Sequence, residues 1–451
     1  MTALKNVTLF QSIKKVICSI PDSFFNIISF VLSFVFMINP LCVLINTRYI
    51  PSFPYFWDTI NRTTLVVGFV SIVLFVLRYA LINNKIDVKE FIKKHVPISF
   101  FLYFAILMVV TTMLNGWFYI MIHGFEYRKE GLLGYLGYIV YFIIIAMNSS
   151  DKQKKIWLYA FVGTSAVLEL ITIYEQYVLN TYDMLFVFSQ FNHYGYYILM
   201  SLAVSAMLII TSPKKWQKAL FSVTFFIATL SLVINDTFGC QISALASLIF
   251  ACVMYSIAKS KLKPVTLIPI ALFILTFVFG GVTSERLRTN ISSNFFQIQN
   301  DTNALANGEE SAELSTGVTR IILWKNGLRY IAEEPLKGHG ADATLGRMFN
   351  DSNGDNERCH CEYMNYAICF GIPAALVYIA AIFTVYLRGL KYRKKLTDTQ
   401  LIGLGAAMFY LISAVIGNSM YYTTPYLFIL LGLGYFTETK AVEANTAAEQ
   451  E

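Results

Sequence analysis

Charge is what this sequence has least of. Of its 451 residues only 14% are Asp, Glu, Lys or Arg, against about 25% in a soluble domain. Hydrophobic residues make up 56% of the chain and mean hydropathy is +0.56, which excludes an ordinary soluble fold. Cysteine is scarce too. Cys18, Cys42, Cys240, Cys252 and Cys369 are scattered in or near apolar stretches, and Cys359 and Cys361 are one residue apart. Structural zinc usually takes four ligands with paired cysteines two to four residues apart, and a disulfide between i and i+2 is strained. Neither a zinc site nor a disulfide framework is expected. No internal repeat is visible, which argues against the matched halves of many secondary transporters. The first 23 residues have no small-residue cleavage site before Pro21; they read as an interfacial amphipathic helix rather than a signal peptide.

What the sequence has is apolar runs, each long enough to cross a hydrocarbon core of ~30 Å as a helix. They fall near 24–46, 63–84, 97–122, 134–149, 156–177, 194–212, 219–235, 238–257, 264–283, 362–387, 400–417 and 420–436. The expected fold is an all-α integral membrane protein of about twelve transmembrane helices. Alternate connections carry the lysines: Lys14 and Lys15, Lys93 and Lys94, Lys154 and Lys155, Lys214 and Lys215, Lys261 and Lys263, then Arg393, Lys394 and Lys395. The positive-inside rule makes that face cytoplasmic, with both termini on it. The net charge of +7 is then a topology signal, and no nucleic-acid partner is implied.

The connections are short except 284–361, which parity puts outside. The chain divides into an N-terminal bundle of about nine helices over 1–283, an extracytoplasmic loop domain over 284–361, C-terminal membrane helices over 362–437 and a tail over 438–451. Within the loop, "STGVTRIILWKNGLRYIAEEP" predicts an amphipathic helix. Ser315 or Thr316 can cap it, Ile321, Trp324, Leu328 and Ile331 recur at helical spacing, and Pro335 follows its end. A glycine-rich, turn-forming stretch leads to "RCHCEYMNYAICFGIP" (358–373), where an arginine, a histidine, two cysteines and a glutamate meet a membrane span.

Four of the five histidines, His123, His193, His339 and His360, fall on the outer side. Arg128, Arg286, Arg288, Arg320, Arg347 and Arg358 lie there as well. One reading is a solvated face touching phospholipid headgroups. The other is a basic bowl for a lipid-linked diphosphate, since arginine grips such oxygens in a fork. His360 is either an interfacial histidine at a helix start or a general base at the membrane boundary. Asp236 and Asn418 sit at outer helix ends, where capping and sugar contact both fit, and Glu169 lies inside a span, where ionisable groups are costly.

In "TRIILWKNGLRYIAEEPLKGHG", "HCEYMNYAICFGIPAALVYIAA" and "FSQFNHYGYYI" the chain resembles the O-antigen ligase and polysaccharide polymerase family of membrane glycosyltransferases. The residues concerned are Arg320 and Trp324; Pro335, Gly338 and Gly340; His360 with Tyr363; Gly371, Ile372 and Pro373; and Asn192. The resemblance implies a GT-C-like enzyme of the bacterial cytoplasmic (inner) membrane, working at its outer face without metal or cofactor. It implies an undecaprenyl-diphosphate-linked glycan as donor, a glycan or lipid-linked acceptor, and membrane lipids as surroundings. His360 would activate the acceptor and Arg320 would bind donor phosphate. Trp324, Gly338, His339, Gly340, Tyr363, Asn192 and His193 would contact substrate. Cys361 stands where the family carries asparagine, and "NDTFGCQISALASL" has no arginine where the family often has one; Arg128, Arg286 and Arg288 are candidates to replace it. A transporter or flippase of lipid-linked oligosaccharides is the alternative, and it would need a polar path across the bilayer.

Overall fold

The computed structural model describes residues 2–48, 57–83, 88–148, 150–181, 185–188, 190–260, 264–279, 316–352 and 358–436, with single positions 289, 299 and 303. Among the described residues all regular structure is helical. Nine helices among the described residues are long and apolar enough to cross a membrane, and shorter apolar helices occupy Leu132–Met147, Pro264–Thr276 and Thr424–Gly434. The chain is an integral membrane protein. In chain order the main helices are α1 (Thr2–Ser19), α2 (Asp22–Arg48), α3 (Trp57–Ile82), α4 (Val96–Leu114), α5 (Leu132–Asn148), α6 (Asp151–Tyr174) and α7 (Phe191–Thr211). They continue as α8 (Lys215–Ile234), α9 (Phe238–Lys259), α10 (Ile268–Phe279), α11 (Thr316–Glu333), α12 (Glu362–Lys391), α13 (Asp398–Ser413) and α14 (Thr424–Gly434).

Helix α7 is the axis of the bundle. From His193 to Ile210 it is buried on every side, the pattern of a helix with no lipid-facing stripe. It packs against α6, α8, α9 and α13, while α14 fills the space between α13 and α5. Ser150 and Thr397 start α6 and α13 with reciprocal capping boxes to Gln153 and Gln400, which satisfies amide donors that no earlier turn can take.

Two expectations change. The third span, read as 97–122, stops at Leu114, because Gly116 and Trp117 turn the backbone to positive φ before a short helix at Tyr119–His123. The buried face of α11 is also rotated from the one expected. Ile321 and Leu328 are exposed, while Leu323 and Tyr330 are buried. Gly327 sets that face: a side chain there would meet Met364, Cys359 and Ile368, so the helix approaches α12 along the 323–327–330 row. The stretch after Pro335 also holds a short helix, Leu345–Asp351.

The loop is fastened to the membrane bundle by backbone. Helix α12 breaks at Gly371 (φ 83°, ψ 162°) just before Pro373. Proline has no N–H to give Cys369 O, and the break removes the helical partner of Ile368 O. The N–H groups of His339 and Gly340 donate to those two carbonyls instead, each at 2.8 Å, and Ile372 N donates to Pro335 O at 2.8 Å. The two sequence motifs are therefore halves of one joint. Gly371→Ala would push a Cβ onto the Leu336 carbonyl at a left-handed φ. We expect it to destabilise the protein by about 1–3 kcal/mol from backbone strain alone. Gly346→Ala, with open space around it, is expected to leave stability within about 0.5 kcal/mol. Thermal unfolding in detergent separates the two.

Candidate functional site

Four segments converge at one end of the bundle. The start of α7 brings Asn192, His193 and Tyr196, and the start of α9 brings Thr237 and Cys240. The chain after α13 adds Asn418, and the segment from α11 to the entry of α12 contributes Arg320 and His360. All line one cleft. The start of α7 is held in place by Asn235, whose Nδ2 donates to Phe191 O at 2.9 Å and to Thr237 Oγ1 at 2.6 Å. Asn418 is buried, and its Oδ1 has no hydrogen-bond partner. His193 is likewise buried with Nδ1 unpartnered, and its ring meets Tyr422 edge-on at 5.4 Å.

His360 reaches the cleft by an unusual backbone route, with φ 50°, a left-handed conformation that residues other than glycine adopt uncommonly. Both flanks are anchored. Cys361 is the N-cap of α12. Two residues earlier, Arg358 is fully buried, with Nη1 2.5 Å from Glu130 Oε2 and Nη2 2.5 Å from Asp342 Oδ1. Nη1 also donates to Ser419 Oγ at 3.1 Å, and Ser419 Oγ donates to Glu130 Oε2 at 2.9 Å. Tyr138 OH donates to Glu130 Oε1 at 2.9 Å, and Phe125 N donates to Asp342 Oδ2 at 2.9 Å. Burial works against the guanidinium's charge, but Asp342 and then Glu130 hold Arg358 well above its ordinary range. It stays a cation.

The field in the cleft is positive. Burial first, and then Arg320, Arg128 and Arg358, lower the His360 pKa to about 4, so its imidazole is neutral at pH 7. Arg128 is lowered to about 10, by burial and then by Arg358, and remains charged. Arg320 also acts on Cys240, the segment where the expected family arginine is missing.

The other expected site residues are placed elsewhere. Gly338, His339 and Gly340 form the joint to α12, and His339 Nε2 lies 2.9 Å from Tyr330 O. Trp324 packs against a satellite apolar cluster containing Leu323, Met348, Cys359 and Cys361. Tyr363 OH donates to Leu411 O at 2.8 Å. Arg286 and Arg288 lie outside the described residues. The seven cysteines are free, and among the described residues no group of three or more His, Cys, Asp or Glu is arranged to hold a metal ion. Burial pushes the Cys359 thiol up to about 12. Since the thiolate is the reactive form, Cys359 is expected to resist maleimide at pH 7 in folded protein and to label after denaturation, as read by mass spectrometry.

Part of the cleft, and the joint to α12, fall within one matched stretch. Residues 223–379 match the O-antigen ligase family model. Over that stretch, about a third of the chain, the protein is similar to the O-antigen ligase family. No curated protein matches the chain significantly. The O-antigen ligase match includes Thr237, Cys240, Arg320, His360 and Gly371. Asn192, His193 and Asn418 complete the cleft from outside it.

Glu130 and Asp342 escaped the sequence reading. Glu130 carries no motif and owes its place to the start of α5. Asp342 had a signal, an acid two residues past the Gly340 turn, but its partner Arg358 is distant enough in sequence that only the fold pairs them.

Proposed function

We propose that this protein transfers a glycan from an undecaprenyl-diphosphate carrier to an acceptor hydroxyl at the outer face of the cytoplasmic membrane. The observation that carries this reading is the meeting of His360 and Arg320 in one cleft, with Arg128 and Arg358 close enough to shape the charge there. The neutral imidazole of His360 accepts the proton of the acceptor hydroxyl. The acceptor oxygen then bonds to the anomeric carbon, and the bond from that carbon to the carrier's diphosphate breaks, its electron pair leaving with the diphosphate. Arg320, with Arg128 behind it, stabilises that developing charge, which is electrostatic work that needs no metal. Asn192, His193 and Asn418 offer polar atoms to sugar hydroxyls.

Binding of the donor also tunes the base. In the free protein burial and then three arginines hold His360 low; a diphosphate anion beside them offsets the arginines' field and raises its basicity at the moment the acceptor must lose its proton. About twelve spans with both termini cytoplasmic and one long outer loop is the topology we assign to this enzyme. The acceptor is a second lipid-linked glycan if the enzyme is a polymerase, and a different glycan or lipid core if it is a ligase.

The competing reading is transport. It draws on Glu169, a carboxyl fully buried in α6 whose oxygens have no hydrogen-bond partner. The deciding experiment supplies purified protein with an undecaprenyl-diphosphate oligosaccharide and candidate acceptors, a second donor included, with EDTA present. Product from wild type but not from His360→Ala or Arg320→Ala supports the enzyme, and the acceptor consumed separates ligase from polymerase. Translocation in vesicles without any bond formed would reject it.

A further inference from the structure

A second cavity lies at the opposite end of α12 from the cleft. Helix α12 leaves the cleft at Glu362 and ends at Lys391, on the order of 40 Å away at 1.5 Å per residue. There a groove of about 680 Å³ opens between the start of α4, with the short helix Val88–Lys94 before it, and the last turns of α12. Its polar rim is Lys93, Lys94, Arg388 and Lys391, with Glu90 as the one carboxylate. Its floor is apolar: Val96, Pro97 and Leu387. The sign of the place is felt by its neighbour His95, whose imidazole is lowered to about 4 by burial and then by Lys94 and Arg388, and whose Nδ1 lies 2.9 Å from Tyr435 OH.

Two of the four cations, Arg388 and Lys391, are held, which distinguishes this side of the groove from a solvated lysine face. Arg388 Nε donates to Phe436 O at 2.8 Å, and the guanidinium sits over the Tyr392 and Tyr435 rings at 5.6 and 6.0 Å. Lys391 Nζ lies 5.1 Å from the centroid of Tyr392, and Tyr392 itself stacks on Phe436 at 4.8 Å. The outward side of α12 below this rim is greasy and exposed: Phe383 is 60%, Leu387 47% and Leu390 51% accessible. A basic rim continuous with an exposed apolar stripe matches a molecule that is anionic at one end and hydrocarbon beyond it. The volume is that of a small-ligand site.

We propose that this groove binds the headgroup of an anionic diacyl phospholipid, with the phosphate between Lys93, Lys94, Arg388 and Lys391 and the acyl chains against Phe383, Leu387 and Leu390. A soluble phosphate compound would use the rim and leave the stripe uncovered; a zwitterionic lipid would use the stripe and bring a second positive charge to the rim. Basic pockets between membrane helices at the cytoplasmic boundary suit anionic headgroups, and the lysine-bearing connections mark this end as the cytoplasmic one by the positive-inside rule. The site is independent of the transfer reaction, so its failure and that of the enzyme reading are separable.

The test is native mass spectrometry of the purified full chain titrated with dioleoyl phosphatidylglycerol, dioleoyl phosphatidylcholine or inorganic phosphate. We expect phosphatidylglycerol to bind and the triple variant Lys93→Gln, Lys94→Gln, Lys391→Gln to hold it at least about tenfold more weakly, given roughly 1 kcal/mol per cation near an anionic surface. The variant Lys152→Gln, Lys155→Gln, basic residues of the same face outside the groove, is expected to bind as wild type. Equal loss in that control, binding of phosphatidylcholine as tight as phosphatidylglycerol, or tight binding of inorganic phosphate alone would each overturn the proposal. Unfolding temperatures in a neutral detergent establish that the triple variant is folded. Should it not be, the exposed Lys391→Glu carries the same comparison, with weaker phosphatidylglycerol binding expected and unchanged binding counting against the site.

Discussion

His360→Ala is expected to lower kcat for glycan transfer by ~10²–10⁴-fold, the usual worth of a positioned general base, while leaving the apparent affinity for donor nearly unchanged. Arg320→Ala is expected to lower kcat by roughly 10²-fold through lost stabilisation of the leaving diphosphate, and to weaken donor binding as well. The pH profile gives the sharper reading. A base acts unprotonated, so activity falls as pH drops through its pKa. For the free protein that pKa is about 4, and kcat/KM should be flat across neutral pH with its acid limb near that value. In kcat, which reports the donor complex, the limb should stand at higher pH, because bound diphosphate offsets the arginines. Removing a cation has the same sign: Arg320→Ala should move the kcat/KM limb upward. His193 supplies the control. It shares the cleft and is buried, so an acid limb that survives His360→Asn and vanishes in His193→Asn would transfer the role of base to His193.

Much of the fold could be read from the sequence because lipid leaves the chain few choices. Apolar runs had to become helices, and among the described residues nine helices long and apolar enough to span, with three shorter apolar ones, overlap the runs, although α4 ends well short of 122. What escaped were features set by contacts between distant segments. Hydropathy carried straight through 115–118, since Trp117 and Phe118 look like membrane residues, and only the positive φ values at Gly116 and Trp117 end the helix. The orientation of α11 was misjudged because Ile321 and Leu328 are as apolar as Leu323; the choice between faces is made by the missing side chain at Gly327.

The cleft was legible in part, and for a related reason. Arg320, His360, Asn192 and His193 announced themselves as polar groups at the edges of apolar segments, and the fold gathers them. The glycines of the 335–340 turn also looked functional. Their physical role is to let one backbone donate to another across the break in α12, which explains why the turn and the Gly–Ile–Pro break occur together in one chain. Motif strength alone does not separate a residue that touches substrate from one that lets two backbones meet. The structure shows which backbone atoms the turn residues already satisfy.

Arg358 is where stability and chemistry join. Arg358→Met leaves Glu130 and Asp342 buried without their cation, and breaking a buried pair from one side costs about 3–5 kcal/mol. We expect a large drop in the unfolding temperature and little folded protein at 37 °C. Arg358→Lys should fare only somewhat better, because one ammonium cannot serve Glu130, Asp342 and Ser419 together in the planar fork that arginine uses. The triple variant Arg358→Met, Glu130→Gln, Asp342→Asn should recover much of the stability, since the uncompensated charges are gone. Its transfer activity distinguishes two roles for the ion cluster. If the cluster only holds the fold, the rescued protein regains activity with the acid limb of kcat/KM unmoved. If it also positions His360 and sets its charge environment, kcat stays low despite the restored fold, and the limb shifts upward with the loss of the Arg358 cation. We expect the second result, because the left-handed turn at His360 is held on its N-terminal side by this one guanidinium. A rescued variant with full activity and an unshifted limb would reduce Arg358 to a structural residue.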